Sequence, residues 1–130
     1  MINYMLDADT SSYIIKGRPN VTELAALRRG SWCISAIVYQ ELMAGLVGSK
    51  GTRLESAYER FLRNVEVMPF TIDDAMVAAE VSVDLRRKGI NIGHRDEQIA
   101  AHAMSTDLTL VTNNLKHFKP IAGLNSETWV

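Results

Sequence analysis

Asn3-Tyr4-Met5-Leu6-Asp7-Ala8-Asp9-Thr10 is the stretch that decides the fold. Its first half is short and apolar and stops abruptly at two acids and a threonine, so it reads as a buried strand followed by a helix cap. Asp9 or Thr10 is the expected cap, which leaves Asp7 at the carboxyl end of the strand and available for other work. The helix covers about residues 10–16 and ends at Gly17 with Pro19 close behind. Asn20 is expected to cap a second helix running toward Arg29.

Working outward, the same strand-then-helix unit recurs. Residues 32–35 form another buried strand, and the pattern turns helical from Ile37 to the loop Gly48-Ser49-Lys50-Gly51. Leu54, Ala57, Tyr58, Phe61, Leu62 and Val65 then recur at helical spacing and form one apolar stripe. A short strand at residues 66–68 stops at Pro69, and a helix begins around Thr71, Asp73 and Asp74 and closes at Lys88-Gly89. Its Ile72, Met76, Ala79 and Val83 are expected to face the core. An alanine-rich helix over residues 95–105, a strand over 108–111, a loop at Thr112-Asn113-Asn114 and a last strand around 127–129 complete the chain. Alternating strands and helices imply a mostly parallel sheet with helices on both faces. No repeat or linker divides residues 1–130, so a single α/β domain is expected.

Composition bounds the function. The chain has 130 residues, 47% of them hydrophobic, enough for one packed core. Its formal net charge of −1 argues against a protein that coats nucleic acid through many phosphate contacts, so any such contact is local. The single cysteine, Cys33, lies in an apolar run and reads as a buried structural thiol in a reducing, cytoplasmic setting. Neither a leader peptide nor a membrane span is expected.

Three acids carry the chemistry. Asp7 stands where open α/β sheets place their binding crevice, with helix capping as its alternative role. Glu41 shares a helical face with Ile37, Ala44 and Gly48. A carboxylate among small and apolar neighbours needs a cation, an arginine partner or a place at the rim of the stripe. Asp96 shares a face with Ile99, Ala100 and Ala103, although an acid in a first helical turn also complements the helix dipole. Together they offer the hard oxygen ligands that Mg²⁺ or Mn²⁺ prefers. No glycine-rich phosphate loop, zinc spacing or nucleophile elbow competes. His94, His102 and His117 are scattered, and His102 reads as a packed or surface residue rather than a base.

These residues resemble the PIN-domain ribonucleases, and among them the VapC toxins of prokaryotic toxin-antitoxin pairs. Tyr4-Met5-Leu6-Asp7 is similar to the opening strand and first metal-binding acid, and Ile34-Ser35-Ala36-Ile37 leading to Glu41-Leu42 to the second motif. Ile92-Gly93, Asp96 and Ile99-Ala100-Ala101-His102-Ala103, then Leu110-Val111-Thr112-Asn113-Asn114, resemble the third and fourth. Glu127-Thr128-Trp129-Val130 resembles the usual ending. The chain departs from the pattern at Ala8 and Asp9, where threonine and asparagine are frequent, and at Asn114, where many members have aspartate.

The resemblance implies a divalent-metal-dependent endoribonuclease that cuts structured RNA, tRNA or rRNA, and a cognate VapB-like antitoxin that blocks the site. It further implies a homodimer and a toxin-antitoxin hetero-oligomer. Asp7 and Asp96 would be the principal ligands, with Glu41 direct or through water, Asn114 the fourth catalytic position, and Ser35 and Thr112 orienting the acids. Arg86, Arg87, Lys88, His94 and Arg95 are candidates for holding RNA phosphates. Because Asn114 is neutral, one tightly held metal is expected, with Asp9 read as a cap. A receiver-type Mg²⁺-binding signalling domain is the competing reading, since Asp7 and Asp9 would suit its acidic pair. It lacks a phosphoacceptor aspartate near Met68-Pro69-Phe70 and a lysine after Val111-Thr112. A PIN-like module that only binds is a third reading.

Overall fold

A computed structural model describes residues 1–130. The elements run β1 (Tyr4–Leu6), α1 (Ala8–Ile15), α2 (Pro19–Leu27), β2 (Trp32–Ser35), α3 (Ala36–Gly48), α4 (Glu55–Asn64), β3 (Val67–Met68), α5 (Ile72–Arg87), α6 (His94–Ser105), β4 (Thr109–Val111), α7 (Leu115–Phe118) and β5 (Ser126–Glu127). The five strands lie in the order β3-β2-β1-β4-β5, and every neighbouring pair is parallel. β1 is central, with Leu6 opposite Ile34 on one side and Val111 on the other. Its Met5 and Leu6 are fully buried, as an unalternated apolar run in a parallel sheet should be.

Strand order fixes the layers. Connections from β1 to β2 and β2 to β3 step one way along the sheet, and those from β3 to β4 and β4 to β5 step back. Right-handed crossovers therefore put α1–α4 on one face and α5–α7 on the other. α3 packs on α4 and α5 along α6. In α6, Ala100, Ala101 and Ala103 are completely buried beside Ile99. Cys33 is buried as expected, its thiol 3.5 Å from the Tyr4 carbonyl oxygen, and burial followed by the charge of Glu66 pushes it up to about 12. No helix is long and apolar enough to cross a membrane.

Several local expectations are corrected. Asp7, not Asp9 or Thr10, caps α1, because its Oδ1 accepts from the Thr10 amide at 2.8 Å. α2 is capped by Arg18 rather than Asn20, with Pro19 at the first helical position, where a missing N–H costs nothing. α5 is turned relative to expectation. Asp74, Val81 and Leu85 are buried, while Ile72 is 80% and Met76 61% exposed, and Ala79 and Val83 are exposed with them. A capping box between Thr71 and Asp74, whose Oδ2 accepts from the Thr71 amide at 2.7 Å, fixes that rotation. β5 ends at Glu127. Trp129 lies beyond it, buried, with its indole N–H on Glu127 Oε2 at 2.8 Å and its ring edge-on to Tyr4.

Candidate active site

β1 and β4 are neighbours from whose ends the chain departs in opposite directions, the switch point at which an open α/β sheet leaves a crevice. Asp7 follows β1 directly, and its amide extends the ladder to the Val111 carbonyl at 3.0 Å. Asp7 is only 8% exposed, its carboxylate tied to the Thr10 amide and the Thr112 hydroxyl. Burial pushes its pKa up, outweighing those hydrogen bonds, and Asp9 adds repulsion. Asp7 is thus both a cap and a member of the site: its Oδ1 holds the helix while the carboxylate lines the crevice.

Glu41 comes from α3, whose start is fixed by Ser35 accepting from the Ile37 amide at 3.0 Å. Asp96 sits in the first turn of α6. The chain enters that helix through Gly93 at φ 94°, a conformation L side chains rarely adopt, with its amide donated to Asn91 Oδ1 at 2.9 Å. Asp7, Asp9, Glu41, Asp96, Asn114, His94, Arg95 and His117 all line one cavity of about 530 Å³.

The charge in that cavity is unevenly answered. Glu41 has its pKa raised by burial and by Asp96, Asp9 and Asp7, against the lowering influence of Arg95. Arg95 Nη1 stands 3.5 Å from Glu41 Oε2, so the arginine partner left open by sequence is present. Asp96 Oδ2 is held by His117 Nε2 at 2.9 Å. Asn114 is exposed, and its backbone N–H donates to the Thr112 hydroxyl at 3.0 Å.

Residues 4–124 match the PIN domain. The chain belongs to the PIN-domain family. It is 35% identical to the tRNA(fMet)-specific endonuclease VapC of Salmonella typhimurium over 99% of both chains. It is 37% identical to ribonuclease VapC2 of Rickettsia felis over 97% of both. The crystal structure of VapBC2 from Rickettsia felis bound to a promoter DNA fragment superposes with a TM-score of 0.87 at 36% identity, covering 100% of both chains. The receiver-type reading is thereby overturned, and the five parallel strands are those of a PIN domain.

Within this PIN domain the anticipated residues divide. Asp7, Glu41, Asp96, Asn114, His94 and Arg95 come together, and Thr112 supports Asp7 from beneath. Ser35 does not reach the acids. Its hydroxyl lies 2.9 Å from Nδ1 of His102, a wholly buried ring whose Nε2 is 3.4 Å from Asp74 and lacks a hydrogen bond. Arg86, Arg87 and Lys88 lie outside the cavity. Arg86 borders an adjoining pocket that also contains His94, Arg87 is exposed, and Lys88 is committed to Asp84 at 2.8 Å and the Pro120 carbonyl at 3.2 Å. Asp9 belongs to the rim of the site rather than to a cap, whereas Asn113 donates to Tyr13 at 2.7 Å and does not line the cavity. His117 was read only as one of three scattered histidines, with no role in the site. It sits on α7, a four-residue helix too short to carry a periodicity that would flag it.

Proposed function

We propose that this chain is a divalent-metal-dependent endoribonuclease of the VapC type, the toxin of a toxin-antitoxin pair, cutting structured RNA. The observation that carries this is the convergence of Asp7, Glu41 and Asp96 on one cavity at the β1–β4 switch point of a PIN domain. A relative named as specific for tRNA(fMet) and matched along almost its whole length supports tRNA as the substrate class over rRNA.

The donor set fits Mg²⁺ or Mn²⁺. Asp7 and Glu41, whose pKa values are raised by burial and by neighbouring acids, gain from a cation, and hard oxygens suit these ions. No three of these side chains form a ready-made cage. That is compatible with Mg²⁺, which usually keeps several waters and takes one or two carboxylates. Asp7 and Asp96 would hold it, with Glu41 joining directly or through water. When bound, such an ion polarises the scissile phosphate and lowers the pKa of a water.

The protein side of the reaction is an in-line displacement at phosphorus. A water oxygen forms a bond to phosphorus as the bond to the leaving ribose oxygen breaks, and the leaving oxygen takes up a proton from solvent. Glu41, whose basicity is raised by burial and by neighbouring acids, is the carboxylate suited to take the water's proton. Arg95 and His94 line the cavity with side chains 58% and 83% exposed and are placed to hold phosphates, and Arg86, which shares an adjoining pocket with His94, extends that path.

A VapB-like antitoxin is the expected partner, in the cytoplasm, and complexes called VapBC among the structural relatives support it. A basic side chain of that partner would compete for the same carboxylates, as Arg95 already does for Glu41. The exposed Ile72, Met76 and Val83 stripe of α5 is the face offered for a homodimer. Incubation with purified tRNA and Mg²⁺ tests the activity. Cleavage by the wild type, lost in chelator and in a folded Asp96→Asn variant, is expected; undiminished cleavage in chelator refutes the metal-dependent reading.

A further inference from the structure

His117 has no part in the sequence-level account of the site, yet its ring occupies a decisive place. Nε2 lies 2.9 Å from Asp96 Oδ2 and 3.1 Å from the carbonyl oxygen of Ile92. A backbone carbonyl only accepts, so Nε2 carries the hydrogen, and the tautomer ambiguity is removed by the geometry itself. Its one hydrogen is therefore shared between two acceptors, the carboxylate at the shorter distance and the carbonyl of the loop that turns into α6. Nε2 is a donor here and offers no lone pair to a cation.

The contact spans elements far apart in sequence. α7 follows β4, Asp96 opens α6, and Ile92 ends the loop before Gly93. Asp96 is 38% exposed and lacks the buried clamp that Thr10 and Thr112 give Asp7. Without His117 its carboxylate would rotate among solvated positions. With it, Oδ2 is committed and Oδ1 remains the oxygen without a hydrogen bond.

Resting on the metal-dependent reading above, we propose that His117 is a positioning residue for the metal site. It orients the Asp96 carboxylate by donating Nε2–H to Oδ2 and so presents Oδ1 to the divalent cation. Hydrogen-bond partners of ligating carboxylates typically matter by about 10- to 100-fold in metal affinity. Exposure of this pair places the expected loss toward the lower end, about tenfold.

The test is calorimetric titration of the intact chain with Mn²⁺, alongside thermal melts to confirm folding. His117→Ala and His117→Asn are expected to weaken Mn²⁺ binding about tenfold. His117→Gln, whose amide nitrogen reaches the place of Nε2, should restore affinity to within about threefold of wild type. In an Asp96→Asn background, His117→Ala should cost nothing further, because the carboxylate it orients is gone. A purely architectural role for His117 predicts lower melting temperatures with unchanged Mn²⁺ affinity, and that result overturns the proposal. Equal losses in His117→Gln and His117→Ala overturn it as well. If Asp96→Asn binds Mn²⁺ as tightly as wild type, the metal reading fails at Asp96 and this inference fails with it. Loss in Asp96→Asn without loss in folded His117→Ala sinks the inference alone.

Discussion

Replacing Arg95 by glutamine is expected to tighten divalent-ion binding while weakening RNA binding, a split that no general folding defect produces. Arg95 Nη1 is 3.5 Å from Glu41 Oε2, with side chains 58% and 26% exposed. Unit charges at that separation interact by about 1 kcal/mol in bulk water, and exposed pairs net about 0.2–1 kcal/mol once entropy and screening are counted. A cation that engages Glu41 must displace this pair. Removing the guanidinium therefore releases at most that amount, a gain in Mn²⁺ affinity of up to about fivefold. The same substitution deletes a charged donor at the mouth of the site. Hydrogen bonds to charged groups net about 1.5–3 kcal/mol, and the exposure of Arg95 argues for the lower value, about a tenfold rise in KM for tRNA. Calorimetry with Mn²⁺ reads the first effect and initial-rate kinetics the second. The affinity gain should shrink at high salt, since the pair it removes is screened there. Unchanged or weaker Mn²⁺ binding in Arg95→Gln at low salt would refute the competition between arginine and metal at Glu41.

Other substitutions probe separate parts of the structure. Asp7→Asn keeps the cap on α1, because asparagine caps as well as aspartate, and removes a carboxylate whose pKa burial holds above 3.8. In chelator at neutral pH its melting temperature should rise by roughly a few degrees, with cleavage lost. The sign follows from linkage: the folded chain binds that proton more tightly than the unfolded chain, so the stability Asp7 contributes is fullest in acid. It is lost as pH rises from the unfolded value through the raised folded one, and a pH series of melts on wild type and Asp7→Asn should diverge in that sense. Mn²⁺ affinity should fall as pH drops toward the raised pKa values of Asp7 and Glu41, where protons compete with the ion, and a flat profile there would contradict their role as ligands. Met76→Lys, on the outer stripe of α5, should shift the protein toward monomer in sedimentation with an unchanged fold; an unaltered sedimentation profile rejects that face.

The sheet was legible because its strands are buried on both faces. Met5-Leu6, Cys33-Ile34 and Leu110-Val111 are uninterrupted apolar pairs, and the structure leaves all six with no exposed surface. Helix rotation was less legible. α5 carries two apolar stripes, one through Val81 and Leu85 and another through Ile72, Met76 and Val83. Periodicity cannot say which faces inward, and here the capping box decides by burying Asp74 against His102. Asp7 was placed correctly but assigned one role too few, because a cap is defined by backbone geometry that composition does not show. α7 and His117 escaped for a related reason: four residues are too few to display a period, and the contact to Asp96 spans 21 positions.

The three acids differ most in what holds them, and that difference orders their roles. Asp7 is clamped by neutral donors, a backbone amide and a hydroxyl, in a place almost without solvent. Asp96 is held by one imidazole N–H that it shares with the Ile92 carbonyl. Both contacts leave the carboxylate its charge and restrict only its orientation, which is what a ligand to a hard cation needs. Glu41 instead meets a full positive charge on a long and largely exposed side chain. Its pairing is the one that a cation, a substrate phosphate or a partner's basic residue can exchange at low cost. Asp7 and Asp96 are therefore the firmly held pair of acids in the cavity and Glu41 the one whose partner can exchange. On the proposed nuclease reading, a Glu41 released by Arg95 turning to a substrate phosphate, its pKa already raised by burial and by neighbouring acids, would become a proton acceptor only once RNA is in place.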